Sequence, residues 1–242
     1  MADFDGARAL VTGGGSGIGA AIARRLASDG AEVWVMGRRR EALLEVSDNV
    51  IVGDVSVRDD CSRAIAECGP LDILINNAGV GDADWERMLA INLTGAHWLT
   101  ELAAAGLCER RGAVVNVASL GAIRAHAGDG QYGVSKAGLL QLTRSLAVRL
   151  GPRGVRVNSV CPGWIRTPMA DESMLMFDPD PERGYRLATR YTPLRRPGTG
   201  DEVAAAVAFL VSSEASYITG AMLTIDGGAS VVDVGMLPED RP

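Results

Sequence analysis

The run Ala9-Leu10-Val11-Thr12-Gly13-Gly14-Gly15-Ser16-Gly17-Ile18-Gly19 decides the fold of this 242-residue chain. Its three leading apolar residues have the pattern of a buried strand, and residues 20–28 after the glycines have the pattern of a helix. Glycine at such a turn permits a tight bend and lets the backbone approach a pyrophosphate, while the helix N-terminus offers N–H groups to phosphates. The run therefore predicts a nucleotide-binding turn. The candidate contacts are Gly13, Gly15, Ser16, Gly17 and Ile18.

The same strand-and-helix rhythm continues along the chain. Further strand patterns lie at residues 31–36, 50–52, 71–75, 113–117, 155–160 and 222–225. These runs lack the alternation of a half-solvated sheet, and most are separated by helical patterns, so they predict a parallel sheet covered on both faces. We expect one doubly wound, Rossmann-type α/β domain over residues 1–242. The polar and glycine-rich segments follow the ends of strands, which is the edge where such sheets bind ligands.

Composition narrows the classes of partner and compartment. The net charge is −6 without a block of like charges, so we expect no nucleic-acid partner. Apolar runs of about 18 residues are absent and the N-terminus lacks a signal-peptide pattern, so we expect no membrane span and a cytoplasmic protein. The four cysteines have no metal-ligand spacing, and only two histidines accompany them, so we expect no metal site and four buried, reduced thiols. These are Cys61, Cys68, Cys108 and Cys161.

The end of the second predicted strand indicates the cofactor. A carboxylate at this position would bind the ribose hydroxyls of NAD and repel a 2′-phosphate. The chain instead has Arg38, with Arg39 and Arg40 directly after it, and guanidinium groups match the geometry of a phosphate. We therefore expect NADP, with NAD as the alternative if these arginines only solvate the start of the next helix.

Tyr132 and Lys136 lie four residues apart in a helical pattern over residues 132–150, so their side chains share one helix face. A nearby ammonium favours the phenolate and lowers the pKa of a tyrosine, which makes the pair a candidate acid/base. Lys136 is the only lysine among 24 basic residues, which favours a special role for its ammonium. Ser119 lies thirteen positions before Tyr132, just after a predicted strand.

These motifs, in this order, resemble the short-chain dehydrogenase/reductase family nearly from end to end. The resemblance implies that Tyr132 exchanges a proton with the substrate oxygen and that Ser119 hydrogen-bonds this oxygen. It further implies that Lys136 holds the nicotinamide ribose, and that the backbone of Asn92 anchors a water in a proton relay. The motifs that carry the resemblance are Thr12-Gly-x-x-x-Gly17-x-Gly19, Gly53-Asp54-Val55, Asn76-Asn77-Ala78-Gly79, Asn92, Ser119, Tyr132-x-x-x-Lys136 and Pro162-Gly163.

The resemblance also implies further contacts along the cofactor. Asp54 and Val55 would meet the adenine, and Ile165 and Thr167 would meet the carboxamide. Only twelve residues separate Gly79 from Asn92, fewer than is usual in the family, so we expect a more open wall of the site here. The adenosine-side contacts would be Asn77, Ala78 and Gly79.

The substrate is expected to be a small ketone or a 3-oxoacyl thioester, bound by a long irregular insert at about residues 164–200. Its apolar residues form either an adaptable lid or ordinary packing, and its arginines either contact a carrier phosphate or solvate a helix face. The apolar set is Met169, Met174, Met176 and Phe177, and the arginines are Arg183, Arg186, Arg190, Arg195 and Arg196. Further polar candidates for substrate binding are Arg124, His126 and Gln131.

Two alternatives to a ketone reductase remain at this point. The chain could be an NAD-dependent secondary-alcohol dehydrogenase, or a nucleotide-sensing protein without chemistry, although a silent sensor would be expected to have lost part of the serine, tyrosine and lysine set. The family usually forms homotetramers or homodimers through the two long helices. The candidate seam residues are Trp98, Leu99, Leu102, Leu140 and Leu146.

Overall fold

The computed structural model describes residues 4–125, 130–233 and 235. Seven parallel strands form a sheet in the order β3-β2-β1-β4-β5-β6-β7. The strands are β1 (Arg8–Thr12), β2 (Glu32–Gly37), β3 (Asn49–Val52), β4 (Ile73–Asn76), β5 (Ala113–Val117), β6 (Arg156–Pro162) and β7 (Met222–Ile225). All seven predicted strands are present, and the expectation of a doubly wound parallel sheet is confirmed.

Helices cover both faces of the sheet. The helices are α1 (Gly17–Ser28), α2 (Arg40–Leu44), α3 (Arg58–Cys68), α4 (Trp85–Leu89), α5 (Gly95–Arg110), α6 (Gly130–Leu150), α7 (Pro168–Met174), α8 (Pro181–Ala188) and α9 (Gly200–Val211). One apolar layer joins α1 and α9 to the sheet, and a second joins α3, α5 and α6 to the opposite face. None of the helices in the described ranges is long and apolar enough to span a membrane.

The strand order places the candidate ligand segments along one crevice. β1 pairs with β2 on one side and with β4 on the other, so the chain reverses its winding direction at β1. Ligands bind parallel sheets at this switch point, outside the carboxyl ends of the strands. The glycine-rich turn after β1, the Asn77–Gly79 segment after β4 and Ser119 after β5 all lie along this edge.

A buried polar chain fixes the helices of one face to the sheet. Asn76 Nδ2 at the end of β4 donates to Asn116 Oδ1 on β5 at 2.8 Å and to Thr100 Oγ1 on α5 at 3.1 Å. Asn116 Nδ2 in turn donates to Thr143 Oγ1 on α6 at 2.8 Å. Hydrogen bonds between buried polar groups are strong because water does not compete for them, so this chain sets where α5 and α6 rest.

The insert differs from the irregular segment that we expected. It contains α7 and α8, and both begin with proline behind a side-chain cap. Thr167 Oγ1 accepts the Ala170 N–H at 3.1 Å, and Asp180 Oδ1 accepts the Glu182 N–H at 3.0 Å. A capping oxygen followed by proline is a helix-start signal. The short lengths of these helices, seven and eight residues, weakened their periodic pattern in the sequence.

Two smaller expectations also need correction. Helix α6 begins at Gly130, two residues before its expected start at Tyr132. All four cysteines are unpaired, but Cys108 is partly exposed, whereas the other three are buried as expected. Cys108 lies near the end of α5, where it packs against the margin of the apolar layer.

Arg156, at the start of β6, joins the sheet to the C-terminus of α9. Its two Nη atoms donate to four backbone carbonyls, those of Leu210, Val211, Ser212 and Ala215, at 2.5–3.1 Å. The last carbonyls of a helix have no intrahelical donor, and a cation there also interacts favourably with the helix dipole. Partial burial lowers the pKa of Arg156 from its ordinary value, but a guanidinium remains charged at neutral pH.

We predict that Arg156→Ala lowers the free energy of unfolding by about 2–3 kcal/mol, because carbonyls that accept from a charged donor lose their partner. Arg156→Lys should recover only part of this loss, since an ammonium cannot reproduce the planar fork. Urea denaturation measures both changes. Arg153→Ala, at an exposed position three residues earlier, is the control and should be neutral. An Arg156→Ala variant as stable as this control would contradict the prediction.

Candidate active site

Lys136 is buried at the centre of the site, with 4% of its surface exposed. Its Nζ donates to the backbone carbonyl of Val117, the last residue of β5, at 3.0 Å, and lies 5.9 Å from the centroid of the Tyr132 ring. Burial lowers the pKa of Lys136 to about 8, against a smaller opposing influence from Cys161. The ammonium form is therefore still favoured at neutral pH, but only modestly.

Asn92 lies beside this lysine in a short π-helical turn (Ala90–Thr94) between α4 and α5. The Gly95 N–H donates to the Ala90 carbonyl five residues back, which widens the helix at this point. The Asn92 side chain is 1% exposed; its Oδ1 accepts the Val80 N–H at 2.8 Å and its Nδ2 donates to Val80 O at 3.0 Å. Asn92 thus holds the short segment after β4 through both atoms of its amide group.

Gly79 allows Lys136 and Asn92 to come together. A methyl group on Gly79 would lie 3.1 Å from Lys136 Nζ and 3.2 Å from Asn92 Oδ1. Both distances are tighter than ordinary van der Waals contact, so a side chain at residue 79 would push the ammonium away from its place. Glycine is therefore required at residue 79 to leave room for the Lys136 ammonium, independently of any cofactor contact.

Ser135 is a residue of the site that the sequence did not indicate. Its Oγ accepts from Asn92 Nδ2 at 3.0 Å and donates to the Tyr132 carbonyl at 2.7 Å. It therefore links the π-helical turn to the first turn of α6. A serine inside a helical pattern has no distinguishing sequence signal, because its partner lies 43 residues away.

Ser119 and Tyr132 meet around Gly121. A methyl group on Gly121 would lie 3.5 Å from Ser119 Oγ and 3.6 Å from the Tyr132 ring atoms Cδ1 and Cε1. Ser119 Oγ accepts the Gly121 N–H at 3.1 Å, and both Ser119 and Tyr132 are partly exposed. The serine oxygen is thus fixed by a backbone donor, and its own hydrogen is available for a substrate oxygen.

The glycine-rich turn after β1 is closed by hydrogen bonds to β2 and to the segment after β4. The Gly13 N–H donates to Met36 O at 2.8 Å, and Asn77 Nδ2 donates to Thr12 O at 2.9 Å and to Gly13 O at 3.2 Å. Gly17 has a φ of 54°, which glycine adopts without strain. A methyl group on Gly19 would overlap both Gly13 O and Asn77 Nδ2.

The turn leaves a helix N-terminus facing the crevice. Ser16 precedes α1, and its side chain makes no capping hydrogen bond. The N–H groups of the first turn, which have no partner within the helix, are the donors that bind phosphates in such turns. Gly15, Ser16, Gly17 and Ile18 lie at this helix start, and their contact with the pyrophosphate of a dinucleotide stays a prediction.

The opposite wall of the crevice comes from the segment after β6. Thr167 lies directly against the turn, because a methyl group on Gly17 would be 3.1 Å from Thr167 Cγ2. Ile165 is buried and pairs with Gly198 in an isolated parallel bridge, which fixes the start of the insert. Thr167 and the glycine-rich turn therefore face each other across the crevice, whereas the Ile165 side chain is largely enclosed by protein.

At the adenosine end, Asp54 and Val55 follow β3, and Arg38 follows β2. Val55 is buried, whereas Arg38 is exposed at the rim. Asp54 Oδ1 accepts from the Ser56 N–H and Oγ at 2.9 and 2.7 Å. Partial burial raises the pKa of Asp54. The Ser56 hydrogen bonds and the charges of Arg38 and Arg87 lower it by more than this, so the pKa of Asp54 lies below its ordinary value.

The substrate-side candidates have different surroundings. Gln131 Nε2 donates to the Ala83 carbonyl at 2.8 Å, which joins the start of α6 to the segment before α4. Arg124 Nη1 donates to the Ala229 carbonyl, which joins the segment after β5 to the segment after β7. Trp164 and Phe177 contact each other edge to face at 6.0 Å between ring centroids. His126 lies outside the described residues.

The insert residues divide between packing and surface. Met174 is fully buried beneath Gly184, so it belongs to the packing of α7 on α8 and not to a lid. Met169, Met176 and Phe177 are exposed by 48%, 75% and 41%, so these three of the expected set belong to the apolar surface of the insert, together with Leu175, Tyr191 and Leu194. Three of the insert arginines form ion pairs, Arg166 with Glu182, Arg183 with Asp178 and Arg196 with Glu202.

A cavity of about 460 Å³ lies behind Trp164, between the insert and the turn after β7. It is lined by Thr192, Leu194 and Asp226 among others, but not by Ser119, Tyr132 or Lys136. We therefore assign the chemistry to the crevice and not to this cavity. Within the described ranges, His, Cys, Asp and Glu side chains form no group of three that could hold a metal ion.

The lowered pKa of Lys136 predicts a pH dependence of stability. Between pH 8 and pH 10.5 the unfolded chain binds more protons at this lysine than the folded chain does, so stability from this group rises with pH across that window. Relative to Lys136→Met, the free energy of unfolding of the wild type should increase by about 1.5 kcal/mol from about pH 8 to about pH 9.5. Urea denaturation of both proteins at each pH measures the difference. A pH-independent difference would contradict the assigned burial effect.

Comparison with known proteins connects this geometry to a family. The family model described as Enoyl-(Acyl carrier protein) reductase matches residues 13–230. The 3-oxoacyl-(acyl-carrier-protein) reductase FabG of Rickettsia prowazekii is 35% identical over 248 residues, which cover 96% of this chain and 100% of the relative. Galactitol 2-dehydrogenase of Rhizobium johnstonii is 39% identical over 250 residues, which cover 93% of this chain and 95% of the relative.

The fold is also similar to that of solved dehydrogenase structures. The aldohexose dehydrogenase of Thermoplasma acidophilum, in its ligand-free form, superimposes with a TM-score of 0.91 at 31% identity, and 98% of each chain is covered. A family match over most of the chain, relatives above 30% identity at nearly full length and the shared parallel sheet all agree. The chain therefore belongs to the short-chain dehydrogenase/reductase family, and it is an oxidoreductase that acts on alcohol and carbonyl groups with a nicotinamide cofactor.

Proposed function

We propose that this protein is an NADP-dependent reductase that converts a ketone or a 3-oxoacyl group into a secondary alcohol, with Tyr132 as the acid. The observation that supports this assignment most directly is the meeting of Ser119 and Tyr132 around Gly121, with the buried Lys136 ammonium 5.9 Å from the tyrosine ring. Ser119 and Tyr132 are both partly exposed, which supports access of a substrate to them.

A bound nicotinamide cofactor supplies or accepts the hydride at the substrate carbon. In the direction of reduction, Tyr132 donates its phenolic proton to the substrate oxygen and becomes a phenolate. Ser119 donates a hydrogen bond to the same oxygen, since its own oxygen already accepts the Gly121 N–H at 3.1 Å. Oxidation of the alcohol runs through the reverse steps, with the phenolate as the base.

Lys136 has two roles in this proposal. Its charge, placed close to Tyr132, favours the phenolate and so eases the loss of the tyrosine proton. Its remaining N–H groups would hold the ribose hydroxyls of the cofactor, since the carbonyl of Val117 occupies only one of three donors. Asn92 would support proton resupply through the widened helix backbone at the π-helical turn, while its side chain holds the Val80 segment.

The cofactor contacts that we propose run along the crevice in three groups. The pyrophosphate would bind the turn after β1, the carboxamide would bind near Ile165 and Thr167, and the adenosine would lie between Arg38 and the segment after β4. The pyrophosphate contacts are Gly13, Gly15, Ser16, Gly17 and Ile18, and the adenosine contacts are Arg38, Asp54, Val55, Asn77, Ala78 and Gly79.

The ketone assignment leaves a choice of substrate class. Relatives named as a 3-oxoacyl reductase and as a polyol dehydrogenase match this chain equally well over their length. The exposed apolar surface of Met169, Met176 and Phe177 beside Trp164 favours a substrate with an apolar part over a free sugar. An NAD-dependent secondary-alcohol dehydrogenase is the second candidate, since the same site runs in both directions.

We propose a cytoplasmic homotetramer or homodimer, built through the outer faces of α5 and α6. The seam that we expected needs revision, because Leu99, Leu140 and Leu146 are all buried within the chain itself. The outer apolar residues on α6 are Val134 and Val148, with 51% and 80% exposure. These two side chains support a contact between copies better than the leucines do.

Tyr132→Phe should lower kcat/KM for reduction of an acetoacetyl thioester or a cyclic ketone by about 10²–10⁴-fold, because the proton donor is lost. The Kd for NADPH should stay within about twofold, since the ring and Lys136 remain. Steady-state kinetics and cofactor fluorescence titration give the two readouts, and Tyr217→Phe at a fully exposed position is the control. Turnover by the phenylalanine variant at the wild-type rate would refute the tyrosine mechanism, and binding without any turnover by wild type would favour the sensor alternative.

Arg38→Ala should weaken NADPH binding by about tenfold or more and leave NADH binding nearly unchanged, because only NADPH carries the phosphate that the guanidinium would bind. Fluorescence titration with each cofactor measures the two Kd values. Arg24→Ala, an exposed position on the outer side of α1, removes the same charge as a control. Equal losses for both cofactors would show that Arg38 does not read the 2′-phosphate.

A further inference from the structure

Arg166 lies at the base of the insert, between Ile165 and Thr167, and joins α8 to the segment after β6. Its backbone N–H donates to Gly198 O at 3.0 Å, in the bridge that closes the insert. Its guanidinium makes two hydrogen bonds to the Glu182 carboxylate in the first turn of α8, one of them from Nη2 to Oε2 at 2.7 Å. Two parallel hydrogen bonds fix the direction of a side chain as well as its distance. Arg166 therefore ties α8 to the segment that carries the predicted carboxamide contacts.

The same guanidinium lies over the ring of Tyr185 on α8, with 4.7 Å between Cζ and the ring centroid. This distance is within the range of a cation–π interaction. Tyr185 is 1% exposed, and its hydroxyl donates to Asp171 Oδ1 on α7 at 2.8 Å. Burial and this hydrogen bond raise the pKa of Tyr185 to about 12, so the hydroxyl keeps its proton and remains a donor. Arg166 thus contacts α8 directly and reaches α7 through a buried ring.

The two helices of the insert form one packed unit. A methyl group on Gly184 of α8 would lie 2.8 Å from both Cβ and the carbonyl oxygen of Met174, at the end of α7. Met174 itself is fully buried. Because the helices pack this closely, a restraint on α8 also restrains α7.

Helix α7 lies across the crevice. At its start, a methyl group on Gly17 of the glycine-rich turn would be 3.1 Å from Thr167 Cγ2 and 4.0 Å from Pro168 Cδ. In its first turn, Met169 Sδ would lie 3.9 Å from a methyl group on Gly81, in the segment after β4. Gly17 and Gly81 follow β1 and β4, which are neighbours in the sheet. The start of α7 therefore contacts the segments on both sides of the crevice.

We propose that Arg166 is a positioning residue for the substrate, because it holds α7 and α8 in the arrangement that covers the crevice. It acts through Glu182 and Tyr185 and not through contact with reacting atoms. If these contacts are lost, the covered form becomes a smaller fraction of the molecules, and the apparent affinity for substrate falls with that fraction. The inference rests on the proposed reductase function and deepens it, since it names a residue that sets substrate affinity.

The first test is steady-state kinetics of Arg166→Ala with saturating NADPH and an acetoacetyl thioester or a cyclic ketone. We expect KM for the carbonyl substrate to rise by about threefold to tenfold, the range for one partly exposed ion pair together with one cation–π contact. The kcat should stay within about twofold, because the cover affects bound substrate and transition state alike. An unchanged KM, or a loss confined to kcat, would overturn the inference.

Arg8→Ala is a matched control at the opposite edge of the sheet. Two nitrogens of the Arg8 guanidinium, Nε and Nη2, lie 2.9 Å from Glu32 Oε2, and the side chain is 35% exposed, against 43% for Arg166. Arg8 and Glu32 begin β1 and β2, whereas the crevice lies at the carboxyl ends of the strands. This variant should leave KM unchanged. An equal rise in KM would trace the effect to a general loss of stability and overturn the inference.

Two further variants test whether Arg166 acts through Glu182. Arg166→Lys keeps the charge but not the planar fork, so its KM should lie between those of wild type and Arg166→Ala. Glu182→Ala should raise KM, and the double variant Arg166→Ala/Glu182→Ala should have a KM within about twofold of Arg166→Ala, because the two residues share one interaction. Fully multiplicative effects of the two alanine substitutions would overturn the role of Glu182.

Hydrogen exchange of the ligand-free protein separates this inference from the proposed function. Arg166→Ala should speed the exchange of backbone amides in α7 and α8 by about threefold or more, whereas Arg8→Ala should leave them at wild-type rates. If wild type reduces no carbonyl compound, the proposed function is wrong, while faster exchange in Arg166→Ala would still support the positioning of the insert. Unchanged exchange in α7 and α8 would reject the inference in either case.

Discussion

The site depends on one buried charge, the ammonium of Lys136. An isolated ammonium is expensive to bury, so its surroundings must supply hydrogen-bond acceptors and exclude steric competitors. The carbonyl of Val117 supplies one acceptor, and the missing side chain of Gly79 supplies the space. Burial lowers the pKa of Lys136 to about 8, because these contacts compensate the cost of burying its charge only in part. Ribose hydroxyls of a bound cofactor would complete the compensation, which couples cofactor binding to the charge state of the acid/base site.

Around this lysine, a small set of hydrogen-bonded polar residues fixes the relative positions of the elements that carry the site. Asn92 connects Val80 to Ser135, and Ser135 connects to the carbonyl of Tyr132. The deeper chain from Asn76 through Asn116 to Thr143 fixes α6 to the sheet. A displacement of α6 would therefore strain both chains at once. Catalytic side chains on such a helix are positioned by the core and not by their own flexible torsions.

The crevice itself is shaped by close approaches between backbones. Gly19 lets the turn after β1 contact Asn77, and Gly17 lets Thr167 close the opposite wall. The short segment after β4 then has a consequence at the far end, since it places Arg87 beside Asp54.

The sequence by itself determined the sheet and the edge at which its polar segments lie, and it predicted the candidate residues of the chemistry. Strand patterns and glycine-rich turns depend on residues that are close together in the chain. The turn from Thr12 to Gly19 and the pair of Tyr132 and Lys136 could therefore be predicted from the sequence. It did not determine the helices of the insert, which are too short to show a clear periodic pattern, or the burial of Met174 and Leu140. Nor could it show the Ser135 link or the Arg87–Asp54 pair, because those contacts join residues 43 and 33 positions apart. Only tertiary packing decides such contacts, since chain separation carries no information about which side chains meet across a crevice.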